Sequence, residues 1–569
     1  METLHGVNAS AGIGIGQVMV IEEPTLEYTS HTVDDPEAEK ARFHDAIGGF
    51  CEKTQQEADA MRQAVGDKEA EILEGHILMI SDPYMQGEMD KIIEGGSCAE
   101  DALSQVCDMF AGMFEAADDE LTNQRATDVR DIKGGVLAQL LNKRTVDISA
   151  VPQGTVIVTH DLTPSMTAGI KPGNVVGIIT ETGGMTSHSA ILARAMEIPA
   201  VLSVADATTR LSDNSKVVVD GSEGAVTVSP DKKTLAAAKQ RRTRFLAEQS
   251  ELKKFIGNNT VTADGTQVEL FANIGKPEDA NQAIDRDAEG IGLFRTEFLF
   301  MGADTIPTED EQFAAYKKSA LIMKGKPVVI RTLDIGGDKD IPCMGMEKED
   351  NPFMGFRAIR YCLAREDVYR TQLRALLRAS AFGDARVMVP LVTCVDEIRA
   401  VKTLVKRYMV EFDREGVAYN PDMQIGVMIE TPAAALIADY LAEEADFFSI
   451  GTNDLTGYTM AADRGNDRVR YLYSTYNPAV LRSIRSVISA GNAAGITVGM
   501  CGEAAADPLL IPLWIAFGLG EYSVPTTSVL ATRKQIFSWS KADADALAAK
   551  AMGLRTAEEV FDCLQAAKR

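Results

Sequence analysis

The hydrophobic rhythm of the chain changes along its length. From residue 261 onward, short apolar runs alternate with amphipathic stretches. The runs QVELFANI, GIGLFRTEF, PVVIRTLDIG, ARVMVPLV, IGVMIETP, FFSIGTNDL, ITVGMCGE and GEYSVP read as strands. Stretches such as TEDEQFAAYKKSALIM, VDEIRAVKTLVKRYMVEF and PAVLRSIRSVISAGNAA carry the 3.6-residue spacing of helices between them. Eight βα units in succession predict a (β/α)8 TIM barrel over 261–569.

The first part of the chain follows a different pattern. GVNAS and GQVMVIEE come before a long helical stretch, and TVIVTH, VVGIIT, KVVVDG and AVTVSP come after it. These are short β segments punctuated by Gly, Asp and Pro. Between them, EAEILEGHILMI and EDALSQVCDMFAGMF have helical spacing, with breaks at Asp82-Pro83 and Gly95-Gly96 that suggest helical hairpins. The simplest reading is an α/β multidomain chain. One β/α domain, 1–21 plus 145–230, is interrupted by an inserted all-α domain, 22–144. A charged helical linker, 231–260, leads to the barrel.

Composition narrows the function. The 569 residues are 45% hydrophobic and 25% charged, as in ordinary globular proteins. The formal charge of −26 argues against a general nucleic-acid binder. Residues 22–144 hold 28 acids against 11 bases, so much of the excess sits in the helical insert. Such a surface is either a solvated helix face or a docking site for a basic partner. No apolar run is long enough to span a bilayer, and the start lacks a secretion signal, so a cytoplasmic protein is expected. The eight cysteines are scattered without a CxxC pair, which favours reduced thiols over disulfides or zinc.

Barrel chemistry sits where strands end. Polar groups crowd those ends here: Asn273, Arg295, Arg331, Asp334, Glu430, Asn453, Asp454, Cys501 and Glu503. One strand-end acid is usually just salt-bridged. Several arginines with two acids suggest an anionic substrate held by guanidinium forks and a metal. Glu430 and Asp454, without clustered histidines, suit Mg²⁺ or Mn²⁺ rather than zinc. Arg464 joins Arg295 and Arg331 as a candidate anion ligand. Arg357 and Lys339 lie on long loops after the third barrel strand. Cys501 reads first as a small buried hydrophobe, and its place on the rim makes it a candidate acid–base group.

Of the six histidines, His188 has the most suggestive surroundings, Thr182-Gly183-Gly184-Met185-Thr186-Ser187-His188-Ser189. The glycines let backbone approach a ligand, and Thr186 and Ser187 look like a helix cap. A histidine at the positive end of a helix dipole favours its neutral, nucleophilic form, and free N–H groups there suit a phosphate. These features point to a phosphohistidine intermediate.

The motifs GGMTSHSAILAR, GIGLFRTEFLFM, RTLDIGGDKD, DNPFMGFRAIR, IETPAAA, FFSIGTNDLTGYTMAADRGN and GMCGE, in this order, resemble the Enzyme I family of the bacterial sugar phosphotransferase system. That family consists of phosphoenolpyruvate–protein phosphotransferases. The resemblance covers essentially the whole chain. It implies a swivelling phosphohistidine domain, an insert that binds the carrier protein HPr, and a phosphoenolpyruvate-binding barrel that forms a homodimer. It implies phosphorylation at His188, with Thr167 as its hydrogen-bonding neighbour. It makes Arg295, Arg331 and Arg464 phosphoenolpyruvate ligands, Asn453 a substrate contact, Glu430 and Asp454 the Mg²⁺ ligands, and Cys501 the proton donor. Gly457 departs from the family, which usually carries glutamine there. Alternative readings are a nitrogen-type Enzyme I paralogue or a scaffold that binds phosphoenolpyruvate or HPr without turnover. Neither nucleic-acid binding nor membrane insertion is expected.

Overall fold

The structure is a computed structural model that describes residues 2–21, 26–64, 67–115, 120–143, 148, 151–162, 166, 170, 173–184, 187–301, 303, 305–336, 341–347, 349–464, 466 and 468–569. The chain divides into two compact units, Met1–Gln249 and Ser250–Arg569.

The first unit is built on a mixed sheet. Its strands are β1 (Glu2–His5), β2 (Val7–Ser10), β3 (Ile13–Ile21), β4 (Thr155–Thr159), β5 (Val175–Thr180), β6 (Ala200–Leu202), β7 (Lys216–Asp220) and β8 (Ala225–Val228), in the order β1-β8-β7-β3-β4-β5-β6-β2. Six of these match the sequence expectation; β1 and β6 were not expected. β1 is an edge strand with only Leu4 of its four residues buried, so it lacks an apolar signal. β6 has three residues, too few to show a period.

β3 and β4 pair in parallel from Gln17↔Thr155 to Ile21↔Thr159, so the sheet closes over the insertion point. The insert itself is helical: α1 (Pro36–Ala64), α2 (Asp67–Ile80), α3 (Pro83–Glu94), α4 (Ala99–Glu115) and α5 (Glu120–Leu140). The breaks seen in the sequence are its corners. Asp82 caps α3 by accepting from the N–H groups of Tyr84 and Met85, with Pro83 at the first helical position. Gly96 takes φ +91° beyond the other end, where a side chain would be strained. Phe43, Phe50, Met89, Ile93 and Leu103 are among the buried residues that hold the helices together.

Two further helices bear on function. α6 (His188–Ala195) follows the glycine-rich loop. α7 (Lys232–Lys253) leaves β8 and buries only Ala238, as expected of a charged connecting helix.

The second unit is a closed barrel of eight parallel strands: β9 (Glu269–Ile274), β10 (Gly290–Arg295), β11 (Val328–Arg331), β12 (Ala385–Val389), β13 (Ile425–Ile429), β14 (Phe447–Ile450), β15 (Thr497–Met500) and β16 (Glu521–Pro525). β16 pairs with β9 to close it. All eight lie in the runs read as strands. Leu293, Val329, Met388, Met428, Phe447 and Cys501 form one apolar cluster contributed by successive strands, which fills the interior. At the opposite end, Glu521 occupies the space left by two glycines. A Cβ at Gly292 would come within 2.4 Å of its carboxylate, and one at Gly499 within 2.5 Å.

Candidate active site

The strand ends of the barrel bring an ion-paired cluster together. Arg295 and Arg331 are register partners at the last positions of β10 and β11. The strand ends are tied from the helix side. Thr296 Oγ1 donates to the Arg331 carbonyl at 2.9 Å, and Gln372 Nε2 donates to Thr296 Oγ1 at 3.2 Å. Gln372 Oε1 in turn accepts from the Leu333 N–H at 2.9 Å. This network fixes the backbone that carries Arg331 and Asp334.

Arg331 pairs with Glu297 at 2.9 Å and with Asp334 at 2.9 Å. The other oxygen of Asp334 accepts from Arg357 Nη2 at 2.7 Å. All four side chains are largely buried. Burial opposes charging both guanidinium groups, but the facing carboxylates outweigh it and hold them firmly protonated. Arg331 Nε and Arg357 Nε and Nη1 are buried and make no hydrogen bond among the described residues. An arginine N–H without a partner is costly in a dry site, so these donors point to an anionic ligand.

Glu430, at the end of β13, and Asp454 lie beside this cluster. Glu430 accepts from the Leu391 N–H at 2.7 Å. Its carboxyl is pushed well above the usual range, first by burial and then by the charges of Asp454 and Asp334. Asp454 is raised by burial and by the charge of Asp334, against the pull of Arg357, Arg331 and Arg464. Gly451 permits this approach: a Cβ there would lie 2.7 Å from Glu430 Oε2. Two buried carboxylates side by side, both raised by Asp334 and with hard oxygen donors only, fit a divalent cation such as Mg²⁺. Among the described residues no group of three metal-ligating side chains converges, so remaining ligands would come from substrate oxygens and water.

The other predicted residues fall around this centre. Arg295 is exposed at its strand end. Arg464 is exposed, and close enough to Asp454 and Tyr473 to influence both. Asn453 Nδ2 donates to Glu503 at 3.3 Å, and the Glu503 N–H donates back to Asn453 Oδ1 at 3.3 Å. Cys501 is buried, with its N–H on the Ile450 carbonyl at 3.1 Å. Burial pushes its thiol up to about 12, so it is protonated at neutral pH. Gly457 sits in the helix after β14, where a Cβ would lie 3.4 Å from the Ala462 carbonyl oxygen. Lys339 and Thr167 lie outside the described residues.

Sequence reasoning missed Glu297 and placed Asp334 on the rim without a partner; these are the acids that hold the arginines. The FRTEF run carried a signal, an acid two residues after Arg295. Tyr458 was also missed; its hydroxyl donates to the Phe353 carbonyl and ties the loop before Arg357 to the helix after β14.

His188 is in the first unit, at the first position of α6. Ser187 caps that helix, its Oγ accepting from the Ala190 N–H at 3.3 Å. Thr186, the other expected cap residue, is outside the described residues, as is the His188 side chain. Ser189, next in the chain, donates to Asp161 at 3.3 Å and to the Leu162 carbonyl at 3.2 Å, fastening α6 to the end of β4. A second histidine stands at that strand end: His160 Nδ1 lies 2.7 Å from Glu181.

Comparison with known proteins places the whole chain in one family. Residues 249–540 match the PEP-binding domain of the PEP-utilising enzymes, 151–224 their mobile domain, and 5–125 their N-terminal domain. The chain is 46% identical over 564 residues to a phosphoenolpyruvate-protein phosphotransferase of Bacillus sp. (strain S), covering 98% of this chain and 97% of the relative. That of Geobacillus stearothermophilus is 47% identical over 564 residues, with 98% and 97% covered. That of Bacillus subtilis (strain 168) is 44% identical over 561 residues, with 98% of each covered. The matched domains and the fold are those of a phosphoenolpyruvate-utilising enzyme. Within that class, the chain belongs to the phosphoenolpyruvate–protein phosphotransferase family.

Proposed function

We propose that the protein phosphorylates itself on His188 from phosphoenolpyruvate and passes the phosphoryl group to HPr, releasing pyruvate, as the first step of a sugar phosphotransferase system. The observation that carries this reading is the pair of arginines clamped on Asp334, with buried N–H groups left for an anion. Arg331 and Arg357 present fixed donors to phosphate and carboxylate oxygens, and Arg295 and Arg464 add charge from the open side. These charges were set by folding, so they stabilise the loose phosphoryl-transfer transition state without reorganising. Glu430 and Asp454 would hold Mg²⁺, which when bound neutralises substrate oxygens as a Lewis acid. Asn453, braced by Glu503, is placed for a substrate oxygen.

His188 attacks phosphorus in line with the departing enolate oxygen. The enolate then needs a proton at carbon, and the protonated Cys501 thiol supplies it. Thr167 is the proposed hydrogen-bonding neighbour of His188, and Lys339 a further loop contact to substrate.

In this reading 1–21 and 145–230 form the swivelling phosphohistidine domain, 22–144 the HPr-binding domain, 231–260 the linker, and 261–569 the substrate-binding and dimerisation domain. The insert supports its role with exposed apolar side chains on an acid-rich domain: Leu78, Tyr84, Met109 and Met113. Met109 and Met113 share a face of α4, and Tyr84 packs edge-on against Phe110 beside them. Exposed Leu436 and Tyr440, after β13, suit a homodimer contact of the barrel. Among the described residues no helix is long and apolar enough to cross a membrane, and we place the reaction in the cytoplasm.

Mass spectrometry after incubation with phosphoenolpyruvate and Mg²⁺ tests the reading. An acid-labile phosphoryl group should sit on His188, disappear on adding HPr, and be absent from His188→Ala. Label on another histidine overturns it.

A further inference from the structure

A cleft of about 650 Å³ opens in the first unit, away from the glycine-rich loop of His188. Its floor is Ile15, Gly16 and Gln17 of β3 with Gln153, Gly154 and Lys216, and its roof is Lys239, Arg242, Thr243 and Leu246 of α7. α7 is held on this unit along one face, by its first turns and, further on, by Arg241 on Asp220 and Phe245 against Gly12. Leu235 and Ala238 pack on Ile13, Ile15 and Val218. Lys239, Arg242, Thr243 and Leu246 face Lys216 and the start of β3 across the cleft.

The charge of this cleft is opposite to that of the protein. The chain carries −26, yet the lining holds three cations and no acid. The pairing of the helix cations is also selective. Arg241 is bound to Asp220 at 2.7 Å, and Arg244 lies 3.9 Å from Glu248. Lys239 and Arg242, which line the cleft, have no such partner among the described residues, and neither does Lys216. Like charges placed together without counter-charge repel, and a bound polyanion removes that cost. Arg242 offers a planar fork suited to phosphate, and the lysines offer point charges. Gln17, Gln153 and Thr243 add neutral hydrogen-bonding groups of the kind that bind hydroxyl or bridging oxygens.

We infer that this cleft binds a small, multiply phosphorylated anion, which joins α7 to the sheet through Lys216, Lys239 and Arg242. The ligand would sit on the connecting helix rather than at the phosphoryl-transfer chemistry. Its occupancy would add a tie between the sheet and the cleft-lining face of α7.

The test uses the full chain with two probes, fructose 1,6-bisphosphate and inorganic tripolyphosphate. Hydrogen–deuterium exchange should show protection at 15–17 and 239–246, saturating with probe and absent in potassium chloride of equal ionic strength. The double variant Lys239→Gln, Arg242→Gln should bind at least about tenfold more weakly, with its circular dichroism unchanged. Response to the bisphosphate assigns a sugar-phosphate ligand, and response to tripolyphosphate alone assigns an inorganic polyphosphate. Protection confined to the barrel rim, equal protection in the variant, or no protection with either probe would overturn the inference. Labelling of His188 by phosphoenolpyruvate is measured in the same samples, so failure of the cleft is distinguishable from failure of the enzyme.

Discussion

Arg295 and Arg331 occupy matching positions at the ends of neighbouring strands, but only Arg331 is buried and held by acids. Arg295 stands in solvent. One guanidinium is therefore preorganised and the other is free to close on a ligand. Arg295→Lys should raise KM for phosphoenolpyruvate with little change in thermal stability. Arg331→Lys should reduce kcat and also lower Tm, because Glu297 and Asp334 lose a fork that a point charge does not replace. Steady-state kinetics and calorimetry on the two variants check this; equal stability losses would mean that the burial difference has no energetic consequence.

Asp334 holds Arg331 and Arg357 on separate oxygens. Asp334→Asn leaves buried guanidinium charge without its counter-charge, and should cost about 3 kcal/mol of stability. The rise in KM for phosphoenolpyruvate should be about tenfold or more. Urea unfolding and initial rates read the two effects separately.

Glu430 and Asp454 repel one another in a buried site. Glu430→Gln or Asp454→Asn should relieve that repulsion and weaken Mg²⁺ activation of phosphoryl transfer from phosphoenolpyruvate. Exchange between His188 and HPr should be untouched. Equal loss in both half-reactions would show that the acids are structural.

The Cys501 thiol, pushed up to about 12, should resist iodoacetamide at pH 8, where exposed Cys394 reacts. Cys501→Ala should still label His188 but release enolpyruvate that is protonated in solution. In deuterated water with chirally labelled substrate, the wild-type methyl group should show a stereochemical bias and the variant none. Retained bias would assign the proton to another group.

Glu521 gives the barrel a pH dependence distant from catalysis. Burial, aided by Glu269 and opposed by Arg386, raises its carboxyl to about 8. Between an unfolded value of about 4.3 and this folded value, the native state binds the extra proton. Stability from this group is therefore full below about 4.3, falls as pH rises towards 8, and is level above that. The total change is on the order of 5 kcal/mol. Glu521→Gln should flatten that part of the Tm–pH profile, and an unchanged slope would refute the assignment.

The eight barrel strands were legible in the sequence because parallel strands are buried on both faces and read as continuous apolar runs. The rim was legible for the same reason: Arg331, Glu430 and Asp454 interrupt or end those runs. The helix cap at Ser187 was legible because capping is local chemistry. The weak edge strand β1 and the three-residue β6 were not, since their stability comes from pairing with β8 and with β2 and β5. Tertiary structure alone decided which charges meet. Glu297 reaches Arg331 because β10 and β11 are neighbours in register, and Glu521 meets Gly292 only once the barrel closes. It also decided protonation. The same carboxyl or thiol is ordinary in an extended chain, and burial among like charges is what shifts Glu430, Glu521 and Cys501.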